Sequence, residues 1–297
     1  MMKKLFLILA LATLALATNA QLLWKVSGNG LGRPSYILGT YHLAPASMME
    51  NIAGMQQALE GCDIVVGEIG KESMMNPEAQ MAMAQAMMAP ADSTLDKLFT
   101  PEDYALVENV FNKYFGTMGV QLSQMKMLKP MAIVVQMQAM QAVKHFPNFN
   151  ESELIDMAVQ SRANDLGKPS EGLETIQEQV DLLFNTPLTE QAEELLDVCK
   201  KDDLFTVQSS ALAEAYMAQD LTSIESIITD PELGGDDAEA MDAVVYDRNR
   251  AWAAKLVKIM PERACLVCVG AGHLPGDQGL LQLLRSRGYT VEPMQQE

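Results

Sequence analysis

The chain has 297 residues, of which 48% are hydrophobic, and it carries 39 acidic against 21 basic side chains, a formal net charge of −18. This apolar content is enough for a sizeable core, and the length suits one large α/β domain or two small ones. A strongly acidic surface repels phosphate groups, so we expect neither nucleic acid nor anionic lipid as a partner.

The first twenty residues predict a secretory signal peptide. Lys3 and Lys4 precede an apolar run, residues 5–17, and the small residues Thr18 and Ala20 occupy the two positions that a signal peptidase recognises. This run is too short for a membrane span, and no later run is apolar enough to cross a bilayer. We therefore expect cleavage after Ala20, export to a periplasm or to the medium, and a single α/β domain over residues 21–297.

Two of the three histidines occur in the same local pattern. Short apolar runs, typical of buried strands, lead directly into Gly39-x-x-His42-Leu and into Gly270-x-x-His273-Leu. Ligands of open α/β sheets bind beyond the carboxyl ends of the strands, so two such ends placed side by side would direct both imidazoles into one crevice. The third histidine, His145, lies in a helix-ending segment without such a strand, and we expect it to be structural or exposed.

Strand patterns cluster at the two ends of the chain. Near the N-terminus, two short apolar runs separated by a Gly/Asn/Pro cluster predict a hairpin, and a later β-branched run ends at Glu68, which places a carboxylate at the same edge as His42. Residues from about 71 to 150 instead carry methionine and alanine at helical spacing. We predict an α/β fold whose central mixed sheet is built from both ends of the chain, with a helical, methionine-rich cap inserted between the halves. We expect these methionines to form a helical core rather than to line a cleft.

The four cysteines are interpreted as core residues. Cys265 and Cys268 form a C-x-x-C pair, but residues i and i+3 of a strand lie roughly 10 Å apart on opposite faces, beyond the ~7 Å limit for a disulfide. A single C-x-x-C pair is also a weak indication of zinc.

Two charged residues outside the histidine motifs are further candidates. Glu174 ends a short strand just before a Thr175-x-x-Glu178 capping box, so it either contacts the site or only lies near a helix start, and the pattern favours the second interpretation. Arg248 falls on the apolar stripe of a helix expected over residues 238–260, with Asn249 beside it. A buried arginine needs an anionic partner, whereas a surface arginine would extend into solvent, and spacing alone leaves both open.

Six motifs in chain order resemble the TraB/GumN family, which is related to the Tiki membrane metalloproteases and more distantly to the erythromycin esterase and ChaN-like folds. The motifs are Leu23–Val26, Tyr36–Leu43, Val65–Glu68, Leu173–Thr175, Asp247–Asn249 and Val269–Gly276. They cover essentially the whole chain after the signal peptide. The methionine-rich segment lies outside them, so the resemblance does not extend to substrate specificity.

The resemblance implies an exported hydrolase that depends on a divalent metal ion and acts on peptides. The implied catalytic residues are His42, Glu68, Arg248, Asn249 and His273; of these His42, Glu68 and His273 would bind zinc, manganese or cobalt, with Gly39, Glu174 and Gly270 around them. Two imidazoles and a carboxylate leave a position on the metal for water. Arg248 and Asn249 would stabilise an oxyanion or hold a substrate carboxylate.

Two other functions are compatible with the same residues. A metal-free hydrolase resembling the esterases would use His42 or His273 as a general base on water, with Glu68 orienting the imidazole. A non-catalytic protein would instead sequester peptides or small apolar molecules in a methionine-lined cleft. The joint presence of His42, Glu68 and His273 argues against a pure binding protein, because such a protein has no evident need for all three.

Overall fold

The computed structural model describes residues 21–146, 149–150, 153–233, 235 and 238–295; the expected signal peptide lies outside them. The strands are β1 Leu23–Gly28, β2 Ser35–Thr40, β3 Ile64–Gly67, β4 Ser170–Gly172, β5 Cys265–Gly270 and β6 Tyr289–Pro293. The helices are α1 Met55–Gly61, α2 Lys71–Met75, α3 Pro77–Ala86, α4 Leu95–Leu98, α5 Pro101–Phe115, α6 Pro130–His145, α7 Ile155–Asp165, α8 Ile176–Phe184, α9 Leu188–Lys200, α10 Asp202–Met217, α11 Leu221–Thr229, α12 Ala238–Met241, α13 Asp247–Ile259 and α14 Leu280–Ser286.

The six strands form one mixed sheet in the order β4-β3-β5-β2-β1-β6. Strands β4, β3, β5 and β2 run parallel, whereas β1 pairs antiparallel with both β2 and β6. The first three strands come from the N-terminal part of the chain and the last two from its C-terminal end, with helices between. The predicted fold class is therefore confirmed.

The register of the parallel strands decides where the two histidine motifs lie. Strand β5 lies between β2 and β3 and is buried almost throughout, which explains its uninterrupted apolar sequence. Thr40 at the end of β2 pairs with Gly270 at the end of β5, and Gly67 at the end of β3 pairs with Cys268. Although β2 also forms a hairpin with β1, both histidine turns thus begin at one edge of the sheet.

Helices fill the segment between β3 and β4, and their buried residues separate into two hydrophobic clusters. One cluster surrounds the sheet. The other is built from α4, α5 and α6 together with Leu195 and Cys199 of α9, so the helical cap draws on residues beyond the expected boundary near 150. The four cysteines are buried and free, as expected.

The methionines of the cap do not share one environment. Met137 of α6 is fully buried in the second cluster, as expected for a helical core. Helix α3, in contrast, has no buried residue, and Met81 on it is 62% exposed. The expectation of a methionine core is therefore wrong for α3, because this helix lies over the surface of the protein.

No helix in the described part of the chain is long and apolar enough to span a membrane.

Candidate functional site

The ends of β2, β3 and β5 bring together the polar residues that the sequence singled out. Glu68 directly follows β3, and its side chain is 6% exposed. Its Oε1 accepts a hydrogen bond of 2.8 Å from the Gly270 N–H at the end of β5. The same oxygen lies 3.6 Å from His42 Nε2 and 3.9 Å from His273 Nε2, so both imidazoles face one carboxylate.

His42 lies at the open side of this cluster, with 59% of its side chain exposed. Its Nδ1 lies 3.1 Å from Asp156 Oδ2 in the first turn of α7, and Asp156 Oδ1 accepts a 2.7 Å hydrogen bond from the Thr40 hydroxyl. The carboxylate therefore fixes the orientation of the ring. Nε2 remains directed toward Glu68.

His273 lies at the closed side, with 8% of its side chain exposed. Its Nδ1 lies 2.8 Å from Asn249 Oδ1, an atom that can only accept, so Nδ1 carries the proton. Its Nε2 is then an acceptor, and Arg248 Nη1 donates to it at 3.1 Å. Burial and the nearby Arg248 lower the pKa of His273 to about 3 despite the opposing charge of Glu68, so this imidazole is neutral.

Arg248 is 15% exposed and uses all five of its N–H groups within the protein. Nε donates to Glu174 Oε1 at 2.8 Å, and Nη2 donates to Glu174 Oε2 at 3.0 Å and to Glu68 Oε2 at 2.6 Å. Nη1 donates to Val244 O at 3.0 Å and to His273 Nε2. The guanidinium also lies 4.6 Å from the centre of the Trp252 ring.

These contacts correct the expected clamp of Arg248 and Asn249. Arg248 has no N–H left for an oxyanion or a substrate carboxylate. Asn249 is fully buried, and its Nδ2 donates to His273 O and Gln278 O at 3.1 and 3.0 Å. Both side chains therefore hold their neighbours in place, and a clamp would require one of these bonds to break.

Glu174 contacts the site, which corrects the interpretation that it only lies near a helix start. Both of its oxygens bind Arg248, and Oε1 also accepts a 2.9 Å hydrogen bond from Trp252 Nε1. The expected capping box of Thr175 and Glu178 is present at the start of α8. Glu174 takes no part in this box, and its carboxylate binds Arg248 instead.

The helix that carries Arg248 is interrupted where the sequence predicted continuity. A π-helical turn over Asp242–Tyr246 separates α12 from α13. Turns of this kind are frequent at functional sites. The carbonyl of Val244 within this turn accepts one of the Arg248 hydrogen bonds, so the irregular turn helps to position the guanidinium.

The remaining pKa shifts follow from the same charges. Burial would raise the pKa of Glu68, but the charges of His42 and Arg248 and the Gly270 hydrogen bond lower it to about 2. Loss of hydration lowers the pKa of His42, whereas Asp156 and Glu68 outweigh this effect and raise it to about 9. At neutral pH the site therefore contains an ionised Glu68, a protonated His42 and a neutral His273.

The two glycines of the motifs do different things. A Cβ on Gly270 would lie 3.4 Å from Glu68 Oε1, 3.4 Å from His273 Cδ2 and 3.5 Å from His42 Nε2, so it would fill the space that the three side chains share. A Cβ on Gly39 would lie 3.1 Å from the backbone of Ala271. Gly39 thus serves the close packing of the two motifs.

The donor types at this space suit a divalent metal ion. His42 Nε2 and Glu68 Oε1 are open toward it, and each histidine binds an oxygen through its other nitrogen, as metal-binding histidines commonly do. Within the described residues, however, no group of three or more His, Cys, Asp or Glu side chains is arranged to hold a metal. An ion at this space would have to displace the Arg248 hydrogen bond to His273 Nε2 and the proton on His42.

Sequence reasoning missed two residues that contact the site. Asp156 binds His42, and Gln179 Nε2 donates to Glu68 Oε2 at 3.2 Å. Each lies in an ordinary amphipathic helix far along the chain, so no local pattern marked it.

The third histidine, His145, ends α6 rather than a strand. A surface groove of about 990 Å³ beside α1 contains none of the site residues.

Fold and site together define a mixed α/β protein with a histidine–glutamate–arginine cluster at the carboxyl edge of its parallel strands. The TraB/PrgY/gumN family model matches residues 22–293, which is nearly the whole described chain. The protein belongs to this family, as its six motifs predicted.

A more distant similarity connects the chain to a curated protein. It is 20% identical to a protein of Amphimedon queenslandica named "Metalloprotease TIKI homolog", in an alignment covering 93% of this chain. The chain spans 62% of that relative's length. No solved structure shows significant similarity to it.

Proposed function

We propose that this protein is a hydrolase that cleaves peptides with water activated at the edge formed by His42, Glu68 and His273. The observation that carries the proposal is the convergence of both Nε2 atoms on Glu68 Oε1, at 3.6 and 3.9 Å. Water reaches this point from the exposed side of His42. The peptide substrate is taken from the name of the distant metalloprotease relative.

In the first version of this proposal the site uses a divalent metal ion, zinc, manganese or cobalt, held by His42, Glu68 and His273. Such an ion lowers the pKa of a bound water and polarises the carbonyl under attack. Asp156 and Asn249 orient the two imidazoles toward the shared space. Arg248 holds Glu68 and, in the absence of an ion, occupies His273 Nε2.

The second version needs no metal. The Arg248 hydrogen bond to His273 Nε2 favours it, because it leaves His42 Nε2 and Glu68 Oε1 as the pair of atoms that faces the shared space, with the His42 side chain 59% exposed. Here His42 must first release the proton that it carries at neutral pH. Its neutral Nε2, oriented by Asp156, then takes a proton from the water that Glu68 positions, and passes that proton to the leaving amine. His273 then stabilises the arrangement only through Asn249 and Arg248.

One experiment separates the two versions and tests the hydrolase itself. Purified protein is incubated with a mixed peptide library, with added Zn²⁺, Mn²⁺ or Co²⁺ or with a chelator, and cleavage is followed by mass spectrometry. Equilibrium dialysis measures binding of each metal independently of cleavage. Cleavage that stops with chelator, together with about one ion bound per chain, supports the metal version; cleavage unaffected by chelator supports the other.

The controls use the three histidines. His42→Ala and Glu68→Gln should abolish cleavage in both versions, whereas His145→Ala should leave it unchanged. If the metal version is correct, His273→Ala should also abolish metal binding. If the wild-type protein cleaves no peptide under any of these conditions, the hydrolase proposal is wrong, and sequestration of peptides becomes the better account.

A further inference from the structure

A groove lined by uncharged side chains opens beside Glu68. It has a volume of about 290 Å³ and lies between α2, α3 and α8. Its lining consists of Ile69, Met74, Ala79, Gln80, Met83, Ala84, Met87, Ile176 and Gln179. None of these residues is charged, although the chain has 39 acidic side chains. The groove is therefore an apolar surface on a strongly acidic protein.

Two residues connect this groove to the reacting edge. Ile69 follows Glu68 directly in the chain and is 6% exposed. Gln179 lines the groove and also donates its Nε2–H to Glu68 Oε2 at 3.2 Å. A molecule lying in the groove therefore comes within one side chain of the Glu68 carboxylate.

The helix that covers the groove is unusual in its exposure. Helix α3 has no buried residue, and Met74, which lines the groove from α2, is 39% exposed. Apolar surface left in water beside a polar cluster costs free energy, and it commonly marks a binding site. Methionine side chains are flexible and polarizable, so they adapt to apolar groups of different shape.

We propose that this methionine groove binds one large apolar side chain, such as Leu, Met or Phe, of a peptide whose backbone lies across Glu68. The proposal rests on the proposed peptidase function for its occupant. The volume is just below the range of about 300–1,000 Å³ of pockets for drug-sized ligands, which suits a single side chain and its neighbouring backbone. Gln179 provides a direct hydrogen bond between the lining of the groove and the Glu68 carboxylate.

Binding is tested without any need for cleavage. Protein labelled with methyl-¹³C-methionine is titrated with N-acetyl-leucinamide, and the methionine methyl signals are assigned by single Met→Leu variants. The signals of Met83 and Met87 should shift, whereas that of Met118, which does not line the groove, should not. N-acetyl-glutamate amide, as the matched acidic probe, should shift none of them. Equal shifts with both probes, or none at Met83 and Met87, would overturn the proposal.

A pair of variants on the same helix tests selectivity. Met83→Glu places a carboxylate in the lining, whereas Met81→Glu places the same carboxylate on the exposed face of α3, where Met81 is 62% exposed. The first should weaken N-acetyl-leucinamide binding about tenfold or more, and the second less than about twofold. Met87→Gln serves as a neutral second variant, and thermal unfolding checks that each protein is folded. Equal losses in Met81→Glu and Met83→Glu would contradict the groove.

The outcomes for the groove and for the peptidase are separate. If peptides are cleaved and Met83→Glu retains the wild-type preference for apolar side chains, the groove proposal fails while the hydrolase stands. If no peptide is cleaved but Met83 and Met87 respond selectively to N-acetyl-leucinamide, the hydrolase fails while the groove stands as an apolar binding site.

Discussion

The Gly270 N–H donates a 2.8 Å hydrogen bond to Glu68 Oε1, which joins the ends of β5 and β3 although the two residues lie 202 positions apart. The bond leaves Oε1 facing both histidines. It also places the Cα of Gly270 against the space that His42, Glu68 and His273 share. A side chain added at Gly270 would therefore enter this space, which makes a substitution of this glycine a sensitive test of the site.

Gly270→Ala should keep the fold and lose the activity. Its backbone angles, φ −51° and ψ 135°, are open to alanine, and the added Cβ would meet its neighbours at 3.4–3.5 Å, ordinary contact distances. The methyl group would, however, fill the shared space. We expect a melting temperature close to that of the wild type and a loss of peptide cleavage or metal binding of about tenfold or more, measured on the same preparation.

Gly39→Ala is the matched variant in the other motif, and it should do the reverse. Its Cβ would lie 3.1 Å from the Ala271 backbone and 3.1 Å from Leu274 Cδ2, so the packing must shift. Overpacking of this kind costs about 1–3 kcal/mol of unfolding free energy. Urea unfolding should show this loss for Gly39→Ala and not for Gly270→Ala. Equal stability of the two variants would contradict the assigned roles.

Arg248→Met should destabilise the protein strongly. Glu68 and Glu174 are 6% and 9% exposed, and both depend on this guanidinium. Breaking a buried ion pair from one side typically costs about 3–5 kcal/mol. Adding Glu174→Gln removes one of the two unpaired charges, so the double variant should recover part of the lost stability in urea unfolding. If the double variant is less stable than Arg248→Met alone, buried charge is not the cause.

Asp156→Asn tests whether orientation of His42 matters to the chemistry. The amide keeps the size of the side chain but removes its negative charge. In the wild-type protein, Asp156 Oδ2 contacts His42 Nδ1 and Oδ1 accepts a hydrogen bond from the Thr40 hydroxyl. Loss of a partner of this kind commonly lowers metal affinity or activity about 10–100-fold. Cleavage rates and metal dialysis should show that loss, with little change in melting temperature. An unchanged rate would mean that Asp156 only supports the fold.

The metal-free protein should lose stability as the pH falls from about 6.5 to about 3. In that window the unfolded chain protonates His273, which titrates near 6.5 when free, whereas burial and Arg248 keep the folded imidazole neutral down to about 3. The unfolded state then binds one proton more than the folded state, so the free energy of unfolding falls by up to about 1.4 kcal/mol for each pH unit of acidification. His273→Gln should flatten this dependence in urea unfolding with chelator present. A slope unchanged by the substitution would argue against a neutral His273.

The sequence by itself determined most of the fold and the sheet edge at which the polar cluster lies. Strands buried on both faces of a parallel sheet have continuous apolar sequences, so the apolar runs that end at Gly39, Glu68 and Gly270 could be recognised as strands. Because these strands are parallel neighbours, the residues at their ends lie at the same edge of the sheet. The Thr175 capping box was likewise readable from residues three apart. Strand runs and capping boxes can be predicted in this way because residues that are close together in the sequence determine them.

Only the tertiary structure decided what each polar side chain does. Arg248 fell on a predicted buried stripe, but four of its five hydrogen bonds go to Glu68, Glu174 and His273, which follow β3, precede α8 and follow β5. Asp156 and Gln179 reach the site from helices whose sequences resemble any solvent-facing helix. The exposure of α3 also could not be read from its methionines, because a helix with the same composition is buried or exposed according to what packs on it.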